Sequence, residues 1–178
     1  MVGVVTTAQE RLISRNGAIS FYSKAPLENI EAKTETAVSA LDKKTGQIEF
    51  SVLIKSFAFE KALMQEHFNE NYLESDKFPK SIFKGKIDDI NKVEFDKDGK
   101  YIVAVTGQLS IHGETKSITA PATIIIQNGT PTANAEFNIS LTDYKISIPS
   151  LAKDKISNSV KIVVSLRYEN GVQQNQSK

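Results

Sequence analysis

At 178 residues the chain is long enough for one domain that buries roughly 70% of its unfolded surface, and with no cysteine it must do so without a disulfide, a thiolate metal site or a cysteine nucleophile. Its 22 basic and 21 acidic residues leave a formal charge of +1, so no global field draws it to nucleic acid or to an anionic membrane. Hydrophobic residues at 40% and charged residues at 24% exclude disorder, collagen and coiled coil.

Residues 1–9 open with MVGVVTTA, a small and mildly apolar stretch that lacks a basic n-region and a full h-region. They read either as an N-terminal tail or as the remnant of a signal peptide. No run approaches the roughly 18–20 apolar residues of a membrane span.

From Gly17 to Arg167 hydrophobicity alternates with period two, the pattern of antiparallel strands with one buried face. A short lead strand near 10–15 is expected first, then long strands over 18–24, 34–42, 46–57, 80–90, 100–112, 116–127, 131–142 and 158–169. Turn signals fall between the runs: Asn16-Gly17, Thr45-Gly46, Asp98-Gly99, His112-Gly113 and Asn128-Gly129. In each, Gly or Asn can supply a positive φ. Long strands joined by tight turns predict an all-β fold, a single antiparallel up-and-down barrel of about eight strands whose closure removes exposed edges. Such a barrel has a lumen that is either packed solid or able to hold one small ligand.

One stretch breaks the alternation. Phe59, Leu63, Met64, His67 and Phe68 recur at helical spacing with polar residues between them, which predicts an amphipathic helix near 58–70. Phe78-Pro79 then resets the chain to extended structure. Tyr144–Asn158 reads as a long loop, and Gly171–Lys178 (GVQQNQSK) as a flexible polar tail.

Chemistry-bearing patterns are sparse. His67 and His112 lack any flanking ligand pair, and no HExxH, GxSxG, P-loop or GxGxxG is present. His67 is expected to cap the pocket side of the helix and His112 to sit at a turn. Asp96-Lys97-Asp98-Gly99 resembles the opening of a calcium loop but lacks the later oxygen ligands, so a turn explains it better. Lys84, Lys86, Lys92, Lys97 and Lys100 are interleaved with acidic residues and read as a solvated face. The expectation is a protein without catalytic residues, metal, cofactor or nucleic-acid partner.

What stands out is the apolar inward face. Its candidate lumen residues are Phe50, Val52, Ile54, Phe83, Tyr101, Val103, Val105, Leu109, Ile124, Phe137, Ile139, Ile162 and Val164. Phe59, Leu63, Met64, Phe68 and Tyr72 are the candidate helix wall, with Met64 and the aromatics able to repack around varied chains. Periodicity does not separate a packed core from an apolar tunnel. Gly85, Gly107, Ala120, Ala122, Ala133 and Ala135 leave space on or near this face and favour a void.

Two motifs carry a resemblance. Leu73–Phe83 (LESDKFPKSIF) is similar to the F-x-x-x-x-[YF]-P-x-x-x-F strand entry of the YceI-like family, which follows a histidine-containing helical segment, here His67-Phe68-Asn69. Gly107–Thr119 (GQLSIHGETKSIT) resembles that family's G-x-L-x-[IL]-x-G-x-T-K-x-[VI] hairpin, and the loop and Val/Ile-rich strand of Tyr144–Leu166 also fit. The family's Arg-Asp-x-His-Leu lead-in is replaced by Met64-Gln65-Glu66-His67-Phe68. The resemblance implies a lipocalin-like barrel over residues 10–170 that encloses a polyisoprenoid or other long amphiphilic lipid. It also implies a periplasmic or otherwise exported location, a link to stress response or isoprenoid-quinone metabolism, and no general catalytic set. A non-catalytic lipid carrier or store is therefore expected, as monomer or homodimer, with transient membrane contact compatible. A ligand-free interaction module with a packed barrel, and an isoprenoid-modifying enzyme, are the alternatives.

Overall fold

In the computed structural model, which describes residues 10–171, the alternating segments form ten strands and one short α-helix. The expected N-terminal tail over 1–9, and the C-terminal tail apart from Gly171, lie outside the described residues. The strands are β1 (Arg11–Lys24), β2 (Asn29–Asp42), β3 (Gln47–Leu53), β4 (Ala58–Phe59), β5 (Lys80–Ile87), β6 (Gly99–Ile111), β7 (Glu114–Gln127), β8 (Thr130–Ser140), β9 (Ser159–Arg167) and β10 (Glu169–Asn170). The helix α1 (Ala62–His67) lies between β4 and β5.

Each long strand pairs antiparallel with its sequence neighbour, in the order β1-β2-β3-β5-β6-β7-β8-β9. Pairing of Ala18–Ser23 on β1 with Val160–Ser165 on β9 closes the ring into an eight-strand barrel. The short β4 and β10 add to β2 and β1. Closure satisfies the backbone groups that an open sheet would leave at its edges. Alternation then sends one face of every strand into a common interior, as on β7, where Ala120, Ala122, Ile124 and Ile126 are all buried.

Several details depart from the sequence expectations. Asn16-Gly17 is no hairpin turn: the lead strand and the next run are one continuous β1, and the pairing register with β2 shifts on both sides of Gly17. A Cβ at Gly17 would lie 2.5 Å from Leu166 and 3.0 Å from the Ala37 carbonyl, so glycine is needed there for close approach rather than for a turn. At His112-Gly113 and Asn128-Gly129 both residues have positive φ, as two-residue hairpin turns require. Asp98-Gly99 does not close a tight hairpin either. Residues 88–98 form a longer connection with a 3₁₀ turn at Ile90–Lys92, and Asp98 accepts hydrogen bonds from the Asn128 and Gly129 amides at 2.9 and 3.3 Å.

That connection seals one end of the barrel, here called the floor. Ile90 and Val93 pack into the main core with Leu12, Leu41, Ile126 and Tyr168. The Ser39 hydroxyl donates to the Glu49 carbonyl at 2.8 Å, so the Tyr168 hydroxyl, 2.7 Å away, donates to Ser39. The other end, the mouth, carries α1 and the loops before β5 and β9.

The expected helix over 58–70 is shorter and shifted. Residues 58–59 pair with β2 as β4, α1 covers six residues, and a π-helical turn continues over Phe68–Tyr72. The apolar spacing that suggested one long helix is shared between an edge strand and these two turns.

Candidate functional site

Two cavities lie inside the barrel. The outer one, about 160 Å³, is bounded by the mouth elements and the upper halves of the strands. The inner one, about 90 Å³, lies toward the floor and is bounded by β3 and β5–β9. Phe50, Leu109, Phe137 and Val164 line both.

The mouth is built from the break in strand patterning. The chain enters α1 from an extended Lys61, and the Gln65 side chain reaches back to accept the Phe59 amide at 3.1 Å. Met64, Phe68 and Tyr72 follow at intervals of four, which aligns them on one face, and all three line the outer cavity. The π-turn ends where the Leu73 amide bonds the Phe68 carbonyl at 2.9 Å. Such turns recur at functional sites because the extra residue re-aims a helix face. Phe68 stacks on Phe21 at 5.4 Å and meets Phe59 at 4.9 Å and Phe57 at 6.0 Å, so four rings from β1, the residue before β4, β4 itself and the π-turn form one aromatic cluster. Pairs of this kind add about 0.5–1.5 kcal/mol beyond area burial.

Beyond the π-turn, the segment leading to β5 is fastened to the barrel rim. Nδ1 of His112 donates to the Tyr144 carbonyl at 2.9 Å, and Nε2 faces the Glu74 carboxylate at 2.6 Å. Phe78 packs edge-on against the imidazole at 4.9 Å. Glu74, His112 and Lys145 all adopt left-handed φ, so three strained residues meet where the mouth loops join the β6–β7 turn.

The lining is almost wholly apolar. In the outer cavity its polar side chains are Ser23, Ser81 and the Tyr72 phenol. Ser23 accepts the Ser157 amide at 2.9 Å and Ser81 donates to the Ser110 carbonyl at 2.9 Å, so both hydroxyls are engaged with backbone. Burial pushes the Tyr72 phenol above its usual pKa, which keeps it neutral. Asn134 is the polar side chain bordering the inner cavity. Among the described residues no cluster of three His, Asp or Glu side chains could hold a metal ion.

Most candidates from the sequence come together around these cavities. Val52, Ile54, Phe59, Met64, Phe68, Tyr72, Ile139 and Ile162 line the outer one. Phe83, Val103, Val105 and Ile124 line the inner one, and Phe50, Leu109, Phe137 and Val164 line both. Two candidates fall outside. Leu63 is 62% exposed, because a six-residue helix turns only Met64 of that pair toward the lumen. Tyr101 lines neither cavity: its hydroxyl donates to the carbonyls of Glu94 and Lys97, which draws it to the loop beyond the floor. His67 is exposed on α1 and caps no pocket, whereas His112 does sit at a turn.

The small residues divide into two groups. Ala120, Ala122, Ala133 and Ala135 border the inner cavity, but the cross-strand pair Gly85–Gly107 does not leave empty space. The Phe83 ring covers it, 2.6 Å from a Cβ at Gly85 and 2.7 Å from one at Gly107. Phe21 and Phe57 are lining residues that the sequence reading passed over. Phe21 alternates with Ile19 and Ser23, and the polar Ser23 broke the run; Phe57 falls in the irregular stretch before β4.

Residues 14–168 match the YceI-like domain. No curated protein matches the chain. Among solved structures, a polyisoprenoid-binding domain from Saccharophagus degradans implicated in plant cell wall breakdown is 13% identical with a TM-score of 0.79, over 91% of this chain and 99% of that one. BcnA from Burkholderia cenocepacia is 17% identical with a TM-score of 0.69, covering 85% and 95% of the two chains. The Campylobacter jejuni YceI protein is 18% identical with a TM-score of 0.57, over 75% and 80%. At these identities the structures establish a shared barrel fold. With the domain match running from the first strand to the end of the last barrel strand, the chain belongs to the YceI-like family.

Proposed function

We propose that this protein binds one long-chain amphiphilic lipid, of the polyisoprenoid or isoprenoid-quinone type, in the barrel lumen and carries or stores it without chemical change. The observation that carries the reading is the pair of apolar cavities whose serine hydroxyls are already bonded to backbone. A site of this kind offers burial and little else. Each buried CH₂ is worth roughly 0.8 kcal/mol, so a few isoprene units outweigh one or two headgroup hydrogen bonds at about 0.5–1.5 kcal/mol each. The Tyr72 phenol, at the helix end of the outer cavity, is the side chain placed to meet a headgroup. In a bilayer the tail is already shielded from water, so transfer into the lumen is close to neutral, as suits a reversible carrier. An exported, periplasmic setting accords with the family.

The cavities weigh against a packed interaction module, whose lumen would be filled. Catalysis would need acidic, basic or activated nucleophilic groups converging on the ligand, and the lining supplies two serines bonded to backbone, one asparagine and one neutral phenol. The test is native mass spectrometry of protein purified without detergent, followed by organic extraction and lipid analysis. A stoichiometric lipid of defined mass, recovered unaltered, is the expected result. A mass of bare protein that incubation with solanesol and with a long-chain ubiquinone leaves unchanged would overturn it.

A further inference from the structure

We propose that Phe50, Leu109, Phe137 and Val164 form a waist that sorts ligands by chain length, with the inner chamber reserved for the distal end of long chains. This rests on the lipid-binding reading and adds a discriminator to it. The four residues are the ones common to both cavities, and they come from opposite walls: β3 and β6 on one side, β8 and β9 on the other. Two phenyl rings, a leucine and a valine thus stand at the level where one cavity ends and the next begins.

Three observations make this waist a gate rather than a plug. First, empty volume borders all four side chains on both sides, and three of them, Phe50, Phe137 and Val164, are only partly buried, while Leu109 is 5% exposed. A side chain with a void beside it can change rotamer without displacing packed neighbours, which a residue in a close-packed core cannot do. Second, the space beyond is shaped by small side chains: Ala122 and Ala135 face each other across β7 and β8, and Ala120 and Ala133 flank them. Third, the outer chamber alone is small. At about 160 Å³ it is close to the roughly 150 Å³ cavity that accommodates benzene, which is room for a short prenyl segment only. A longer chain must either remain in the mouth or pass between Phe50 and Phe137. Beyond them it meets a closed end, where Ile87, Ile124 and Leu166 are buried to 1%, 1% and 4% exposure.

Chains that stop above the waist and chains that cross it therefore gain different amounts of burial, and the inner chamber controls the difference. The test measures affinities of the full-length protein for farnesol, geranylgeraniol and solanesol. The native protein should prefer solanesol to farnesol. Ala135→Leu, which fills the inner chamber, should lower the solanesol-to-farnesol affinity ratio by about tenfold or more, the equivalent of roughly two buried CH₂ groups. Phe68→Leu, in the outer chamber, should weaken both ligands and leave their ratio as it was. Phe137→Leu, which thins the waist, should speed solanesol association without a matching change for farnesol. Ala133→Val fills the same chamber with a smaller side chain and replaces Ala135→Leu if that variant does not fold. If the native protein binds none of the three alcohols, the lipid-binding reading itself falls. If it binds them and the ratio is the same in the inner-chamber variants, the waist falls and the binding reading stands.

Discussion

At the floor of the barrel Leu12, Leu41, Ile87, Ile124, Ile126 and Tyr168 are each 2% exposed or less, whereas at the mouth Phe21, Phe59, Phe68 and Tyr72 stay partly open around a cavity of about 160 Å³. Both ends are made by the same inward-facing alternation, and often by the same strand. On β7, Ile126 packs into the floor while Ala122 and Ala120, four and six residues earlier in the alternation, border a void. The difference lies in what stands across the interior from each side chain. At the floor Ile90 of the 3₁₀ turn, Val93 after it and the aromatic body of Tyr168 join the buried core. Toward the mouth, Met64 of α1 and the Phe68 and Tyr72 rings of the π-turn border the space without filling it. One end is closed by packed side chains and the other keeps open space among them.

The largest expected effect tests that division by truncation. Ile126→Ala at the floor, a core residue that borders neither cavity, should cost about 2–5 kcal/mol, because the lost transfer energy is joined by the cost of a new cavity. Ile162→Ala, beside the existing outer cavity, should cost about 1–2 kcal/mol less, since its neighbours already lack partners on one side. Urea unfolding of the two variants decides it, and equal losses would mean that the lumen is packed like the floor.

A second effect sharpens the contrast through pH. Burial pushes the Tyr168 phenol up to about 12, against about 10 when unfolded. The folded state therefore holds a proton that the unfolded state releases first. Its contribution is complete below pH 10 and is lost as pH rises from about 10 to about 12, by roughly 2–3 kcal/mol in all. Tyr168→Phe should lose about 1 kcal/mol at neutral pH with the bond to Ser39, and its stability should fall less steeply over the alkaline window. Denaturant midpoints across that window give the two slopes, and parallel slopes would contradict the assignment.

How far this contrast could be read in the sequence follows from what alternation encodes. It reports which residues face inward, and so most of the lining was legible: Phe50, Val52 and Ile54 on one strand, Phe137 and Ile139 on another. It is blind to depth, so it could not tell Ile126 against a packed floor from Val105 against a void. Glycine misled in two ways. Asn16-Gly17 has the composition of a hairpin turn, yet the requirement at Gly17 comes from Leu166 and Ala37, distant in sequence. Gly85 and Gly107 looked like empty space, but Phe83, two residues from Gly85, folds its ring over both. Leu63 shows the limit of helical spacing: in so short a helix an i, i+4 pattern fits more than one face, and the π-turn after it settled which residues turn inward.

The smallest expected effect is the most direct measure of the void. Val105 lies on β6 opposite Ala120 of β7, and both border the inner cavity of about 90 Å³. Were this part of the barrel close-packed, Val105→Trp would force neighbours off their rotamers and cost about 1–3 kcal/mol. With the alanines leaving room, the indole can take the empty volume, and the stability change should stay below about 1 kcal/mol in either direction. The same substitution should nonetheless reduce retention of a long prenyl chain, because the indole occupies the space that the end of the chain would enter. Stability and binding then move independently, which a packed core does not allow. A Val105→Trp protein with nearly native urea stability and impaired solanesol retention would place the working volume of the barrel below the Phe50–Phe137 constriction; a large loss of stability would return that region to the same category as the floor.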